Sequence, residues 1–197
     1  GGTISGTFAT TSADPAFVFV GEFKFRITYT ATTVVLEKVK TATTTALSSS
    51  NDFSSTSGSP STLNQPVTFA ATVRSETGAL IQPTTNTQVQ FKVNGVNAGG
   101  PVPVGFDRLL NGTLVANGMP GVARIVLASI PGGANTVTAD YLGDADNFDT
   151  SSANIAQTVE VPLATLVASP PTPAPLSPTN GTSAGVNDVL TLTVRVD

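Results

Sequence analysis

Four aspartates, Asp140, Asp144, Asp146 and Asp149, fall within the stretch Ala139-Asp-Tyr-Leu-Gly-Asp-Ala-Asp-Asn-Phe-Asp149. The chemistry such a run could do is calcium binding, which needs six to eight oxygens at about 2.3–2.6 Å. Asp140, Asp144 and Asp146 would be the first ligands. The same residues also suit a tight turn at Gly143-Asp144, in which Asp carboxylates accept hydrogen bonds from nearby backbone amides. The turn accounts for the residues without a metal, so no metal site is assigned.

Other chemical candidates are thinner. Lys92 faces outward on its strand and could form a Lys–Asn isopeptide cross-link. That reaction needs an apolar setting and an adjacent carboxylate to shuttle protons, and a solvated lysine is the expected state. Asn111-Gly-Thr and Asn180-Gly-Thr match the glycosylation sequon and read equally as Asn-Gly turns. Asp107-Arg108 reads as a solvated pair, and Tyr141 as a core-edge residue closing its strand. Histidine and cysteine are absent, which removes the commonest general base, the commonest zinc ligand, thiolate chemistry and disulfides. No paired carboxylates have a catalytic context, and no Gly-rich phosphate loop precedes a helix. The expectation is a non-enzyme with no catalytic residue and no cofactor.

The elements that must position these residues are strands. The chain has 197 residues, 40% hydrophobic and only 11% charged, against a usual charged quarter. Threonine and serine supply the polar surface, and threonine favours strands. No segment sustains a helical period, so the class is all-β. Net charge is −4, with nine basic residues spread singly, so no nucleic-acid partner is expected. No apolar run reaches the roughly 18–20 residues of a membrane span, and no membrane insertion is expected within this chain. Gly1-Gly2 opens the sequence and the sole Met is Met119, which reads as a processed form or a piece of a longer protein; a removed signal peptide would fit the first.

Strand signals recur along the chain. Residues 1–40 hold Ile4–Thr11, the continuous apolar run Ala16–Val20, the alternating Phe23, Phe25, Ile27 and Tyr29, and Val34-Val35-Leu36. Thr41–Ser50 opens a new unit, and the Ser/Asn/Gly/Pro-rich Ser48–Thr62 reads as a loop. Val67, Phe69, Ala71 and Val73 form one inward set and Val89, Phe91 and Val93 the next. Asn94-Gly95 suits a type I′ hairpin turn. Asn111–Gly121 is rich in turns, and Val122–Leu127 is a further strand. Val137, Ala139 and Tyr141 point inward, opposite Thr136, Thr138 and Asp140, and a last strand starts near Ile155. Strands at this spacing suggest two packed sheets.

The order T-T-T-A-L-S-S-S, N-Q-P-V-T-F-A-A-T-V, G-V-A-R-I, P-G-G-A-N-T-V-T-A-D-Y-L-G-D-A-D-N-F and A-Q-T-V carries a resemblance. Residues 43–161 resemble a bacterial immunoglobulin-like domain of group 3, which implies an Ig-like β-sandwich. Insertions at Asn51–Ser61 and Pro101–Leu114 lengthen loops and are expected to leave the core pattern alone. G-T-F followed by F-x-G-x-F-x-F-x-I-T-Y-T and V-V-L is similar to closing strands of repeat regions in large bacterial surface proteins. The resemblance implies an extracellular or cell-surface location.

After Val161 the pattern restarts. Ala164–Ala168 reads as a first strand and Pro170–Asn180 as a Pro-rich loop. Asn187-Asp-Val-Leu-Thr-Leu matches Asn64-Gln-Pro-Val-Thr-Phe. Leu190, Leu192, Val194 and Val196 would leave one face uncovered, and a lone pair of strands is marginal in water. The organisation expected is a strand segment at 1–40, an Ig-like sandwich at 41–161 and the first strands of a second repeat at 162–197. The N- and C-terminal strands would form a second, partial or shared sandwich, within one chain or between neighbours, unless residues outside this sequence complete it. Sharing between neighbours gives head-to-tail self-association. The expected function is a filament subunit or spacer of a surface protein. The alternatives are an adhesin or carbohydrate-binding module using loops 48–62 and 101–117, whose aromatics are Phe53 and Phe106, and an accessory domain of a secreted enzyme.

Overall fold

Apolar residues at every second position give the longer sandwich strands one buried face, and the computed structural model shows how those faces meet. It describes residues 6, 16–50, 57–83 and 86–162. Strands run at β1 (Phe17–Val20), β2 (Phe23–Tyr29), β3 (Val34–Val39), β4 (Thr43–Ser49), β5 (Ser57–Thr62), β6 (Val67–Ser75) and β7 (Gln88–Val93). They continue at β8 (Val96–Asn97), β9 (Val102–Pro103), β10 (Phe106–Arg108), β11 (Leu114–Ala116), β12 (Val122–Leu127), β13 (Gly133–Tyr141) and β14 (Ser151–Glu160). The strands expected at 4–11, 164–168 and 187–197, the loop at 170–180, Phe53 and Asn180 lie outside the described residues.

Two sheets make the sandwich. One has the order β11-β10-β12-β6-β4, and the other β5-β14-β13-β7-β8, with β9 also pairing β7. Between them Val67, Phe69, Ala71 and Val73 of β6 meet Val89 and Phe91 of β7 and Val137 and Ala139 of β13, all fully buried. This is an all-β, Ig-like sandwich. The β7–β8 connection is the two-residue turn expected: Val93 pairs with Val96, and Asn94 and Gly95 take φ of 51° and 82°, as a type I′ turn requires.

Four expectations are corrected. Residues 57–62 are not loop: β5 pairs in parallel with β14, and Gln157, fully buried, donates to Ser61 Oγ at 3.3 Å. Serine, glycine and proline are poor strand formers, but β5 is an edge strand, where Pro60 interrupts no inner ladder. The segment after Pro101 does reach the core, because Val102 and Val104 are fully buried and Phe106 packs against the core. The run ending at Val20 is not a fully buried strand, since β1 forms a sheet edge and Val20 is 60% exposed. The last strand also starts earlier than Ile155, at Ser151, where its polar residues pair with β13.

The N-terminal strands form a separate three-stranded antiparallel sheet, in the order β1-β2-β3. Register sorts its faces. Val18 and Val20 lie beside Phe25 and Phe23, Leu36 lies beside Ile27, and Val34 beside Tyr29. That face is almost wholly apolar. The other carries Lys24 and the Arg26–Glu37 ion pair, with the Lys24 ammonium 4.5 Å from the Phe17 ring centroid.

Candidate functional site

The acidic stretch folds as a capped turn. Asp144 Oδ1 accepts the amide of Asp146 at 3.0 Å and of Phe148 at 3.2 Å, and also the Asn147 amide. Its Oδ2 accepts Asn147 Nδ2 at 2.7 Å. Partial burial works to raise the pKa of Asp144. The bonds from Asn147, by side chain and backbone, and from the Asp146 and Phe148 amides outweigh it and hold the carboxyl below the usual range. Gly143 makes the turn possible: its φ is +69°, and a Cβ there would stand 2.8 Å from the Phe148 carbonyl oxygen.

The other aspartates are engaged elsewhere. Asp140 lies on the outer face of β13, where its Oδ2 meets Lys92 Nζ at 2.8 Å and its Oδ1 accepts from Ser152 Oγ at 2.6 Å. Desolvation raises its pKa, and the bonds from Lys92 and Ser152 with the Lys92 charge more than reverse that, so it too lies low. Asp146 and Asp149 are exposed. Among the described residues no group of three acidic side chains comes together to hold a metal, so Asp140, Asp144 and Asp146 are not brought to one point. Tyr141 is only 1% exposed, fully in the core rather than at its edge. Burial, and secondarily the Asp144 charge, push its hydroxyl pKa well up.

Lys92 is ion-paired with Asp140 rather than simply solvated, and its side chain is 34% exposed, which is not the dry setting an isopeptide reaction needs. Asp107 and Arg108 are likewise no free solvated pair. Asp107 accepts from Asn117 at 2.8 Å and lies 3.9 Å from Arg124. Arg108 donates to the carbonyls of Pro101 and Gly112. The Asn111 side chain accepts the Thr113 amide at 3.0 Å, an Asx turn within the sequon.

What the acidic turn does is hold the N-terminal sheet. Thr41, just after β3, donates its amide to the Asn147 carbonyl at 2.8 Å, and its own carbonyl accepts the Asp149 amide at 3.0 Å. Lys38 donates to Asn147 Oδ1 and sits 4.5 Å above the Phe23 ring. Lys24 bonds Thr41 Oγ1 through its amide and Glu76 through its ammonium at 2.9 Å. Phe23 stacks on Phe148, which is itself part of the sandwich core. Apolar, ionic and backbone contacts thus fix one end of the three-stranded sheet. On its apolar face Val20 is 60% and Leu36 49% exposed, while Ile27 beside Leu36 is buried.

The opposite pole has its own apolar surface. β14 starts beside Thr43, whose hydroxyl bonds Ser151 Oγ at 2.8 Å. It has 10 residues, so it carries the chain about 30 Å away from the joint. At that far end a groove of about 800 Å³ opens between the sheets, lined by Val93, Val96, Ala98, Leu110, Val126 and Leu127 among others, with no charged side chain. The loop aromatic Phe106 is half-buried and packs against the core.

Compared with known proteins, residues 53–161 match the model of a family described as Bacterial Ig-like domain (group 3). No curated protein matches the chain, and no solved structure does.

Proposed function

Since the chain belongs to the bacterial Ig-like domain family, group 3, in which modules are commonly extracellular or surface-located and serve structural or adhesive roles, we propose that it is a structural module of a cell-surface assembly. It acts as a filament subunit or as a spacer, and neighbours associate head to tail through their terminal strands. The observation that carries this reading is the apolar face of β1–β2–β3. It is anchored at one end of the sandwich and exposed at Val20 and Leu36. A three-stranded sheet with apolar side chains exposed on one face gains by burying them against a second layer. The face lies at one pole while the chain leaves β14 at the other, and a contact joining unlike ends repeats without closing.

Such a module works mechanically. Its antiparallel ladders run along the sandwich, and its Thr- and Ser-rich surface, with few charges, offers little for nonspecific association. Light scattering and electron microscopy of the 197-residue chain test the proposal. Concentration-dependent linear oligomers are expected, and a chain that stays strictly monomeric at all concentrations overturns it.

A further inference from the structure

The turn between β11 and β12 holds the chain's single sulfur atom, since the sequence has one Met and no Cys. Met119 is 43% exposed, yet its backbone is pinned. Its amide donates to Asn117 Oδ1 at 2.8 Å, and its carbonyl accepts the Val122 amide at 3.3 Å. Asn117 is fixed in turn: its own amide donates to the Gly105 carbonyl and its Nδ2 to Asp107 Oδ1, both at 2.8 Å. On the other side Pro120 restricts the backbone. Gly121 follows at a φ of +73°, where a Cβ would stand 2.9 Å from the Val73 carbonyl oxygen. The thioether is thus presented to solvent at a fixed place.

That place adjoins Arg124. On β12, Arg124 pairs with Asp107 of β10 and brings its Nη2 to 3.1 Å from Met119 Sδ. The guanidinium is short of acceptors. Thioether sulfur accepts weakly, Asp107 Oδ2 stands 3.9 Å from Nη1, and the other Asp107 oxygen is taken by Asn117. Arg124 Nε is buried and has no hydrogen-bond partner among the described residues, which is a costly state for such a donor. We infer that Met119 is an oxidation site for hydroperoxides and that Arg124 captures the resulting sulfoxide. The sulfur lone pair attacks a peroxide oxygen, so an S–O bond forms as the O–O bond breaks. Sulfur gives up two electrons, and the reduced half of hydrogen peroxide leaves as water with the proton of the transferred oxygen. Sulfoxide formation makes this side chain polar and chiral, and the epimer whose oxygen faces Arg124 gains a charge-assisted hydrogen bond. Methionine oxidation ordinarily disrupts packing; at this position it supplies the acceptor that Arg124 lacks and tightens the turn. The inference does not depend on head-to-tail assembly.

Hydrogen peroxide treatment of the full chain tests this. Intact mass is expected to rise by one oxygen atom, and the gain to vanish in Met119→Leu. Oxidation is expected to raise Tm by about 2–4 °C, as one added hydrogen bond does in a chain of this size. In Arg124→Ala the same oxidation is expected to give no rise. Met119→Gln, which places an uncharged amide oxygen near the guanidinium without any oxidant, is expected to melt above Met119→Leu. A folded chain that takes up no oxygen overturns the site. A Tm that falls or stays level on oxidation of the parent, or that rises equally in Arg124→Ala, overturns the capture. Should Arg124→Ala not fold, the two Met119 variants decide with Arg124 in place: equal Tm for Met119→Gln and Met119→Leu overturns the capture as well.

Discussion

The rings of Phe23 and Phe148 lie 5.9 Å apart, centroid to centroid, with their planes 25° from parallel. One belongs to the N-terminal sheet and the other to the loop closing β13 onto β14, so this stacked pair joins the two parts of the described chain. Phe148 is 2% exposed and Phe23 only half-buried. Phe148→Ala is therefore expected to cost about 3–5 kcal/mol in the main unfolding transition. Phe23→Ala is expected to cost less there and to speed amide exchange across Phe23–Tyr29. Denaturant melts paired with hydrogen exchange check both; equal costs at the two positions contradict this division of roles.

Asp144 makes the acidic turn a pH-dependent element. Its folded pKa lies below its unfolded value, so its contribution is fully present above about pH 4 and is lost as pH falls through the depressed folded value. Removing its bonds in Asp144→Ala is expected to cost about 2 kcal/mol at neutral pH. That variant should also lose less stability than the parent on acidification. Tm against pH for the two proteins checks this, and parallel acid limbs would falsify it.

The same carboxylate is saturated by three backbone amides and one side-chain amide, while Asp140 is tied to Lys92 and Ser152. Calcium is accordingly expected to leave Tm unchanged, with chelator as the reference. A calcium-dependent rise abolished by Asp144→Ala would reinstate the metal reading.

Gly143→Ala places a methyl group 2.8 Å from a backbone oxygen at a φ of +69°. The left-handed conformation alone costs roughly 1–2 kcal/mol, and the clash adds to it, since a carbonyl cannot yield as a flexible side chain can. A loss of more than about 2 kcal/mol is expected in chemical denaturation.

Lys92 and Asp140 form a partly exposed ion pair. Lys92→Ala is expected to cost below about 1 kcal/mol, and the cost should shrink in high salt. The intact mass of the purified chain should equal that of its sequence. A deficit of one ammonia (an amide to an asparagine) or of one water (an amide to Asp140), lost with Lys92→Ala, would show a covalent amide instead.

Val104 decides whether the segment after Pro101 is core or decoration. It is fully buried, and Val104→Ala is expected to cost about 2 kcal/mol. Denaturant unfolding reads this directly, and a neutral substitution would restore the view of this segment as a lengthened loop.

Much of the fold was legible in the chain because alternation has a period of two and is a local property. Val137, Ala139 and Tyr141 declare their face without reference to any neighbour, as do Phe69, Ala71 and Val73, and Asn94-Gly95 declares its turn. Gly143-Asp144 was legible as a turn for the same reason, since Asp144 caps amides within four residues of itself. What sequence could not decide was anything set by distant partners. Ser57–Thr62 is a strand only because β14 offers an edge, and Val102 and Val104 are buried only because two sheets leave room for them. Asp140 finds Lys92 across a ladder, and Phe148 finds Phe23 more than a hundred residues away. Local pattern assigns a residue to a face; which surface that face meets depends on contacts between segments far apart in the chain, and those exist only once the tertiary structure has formed.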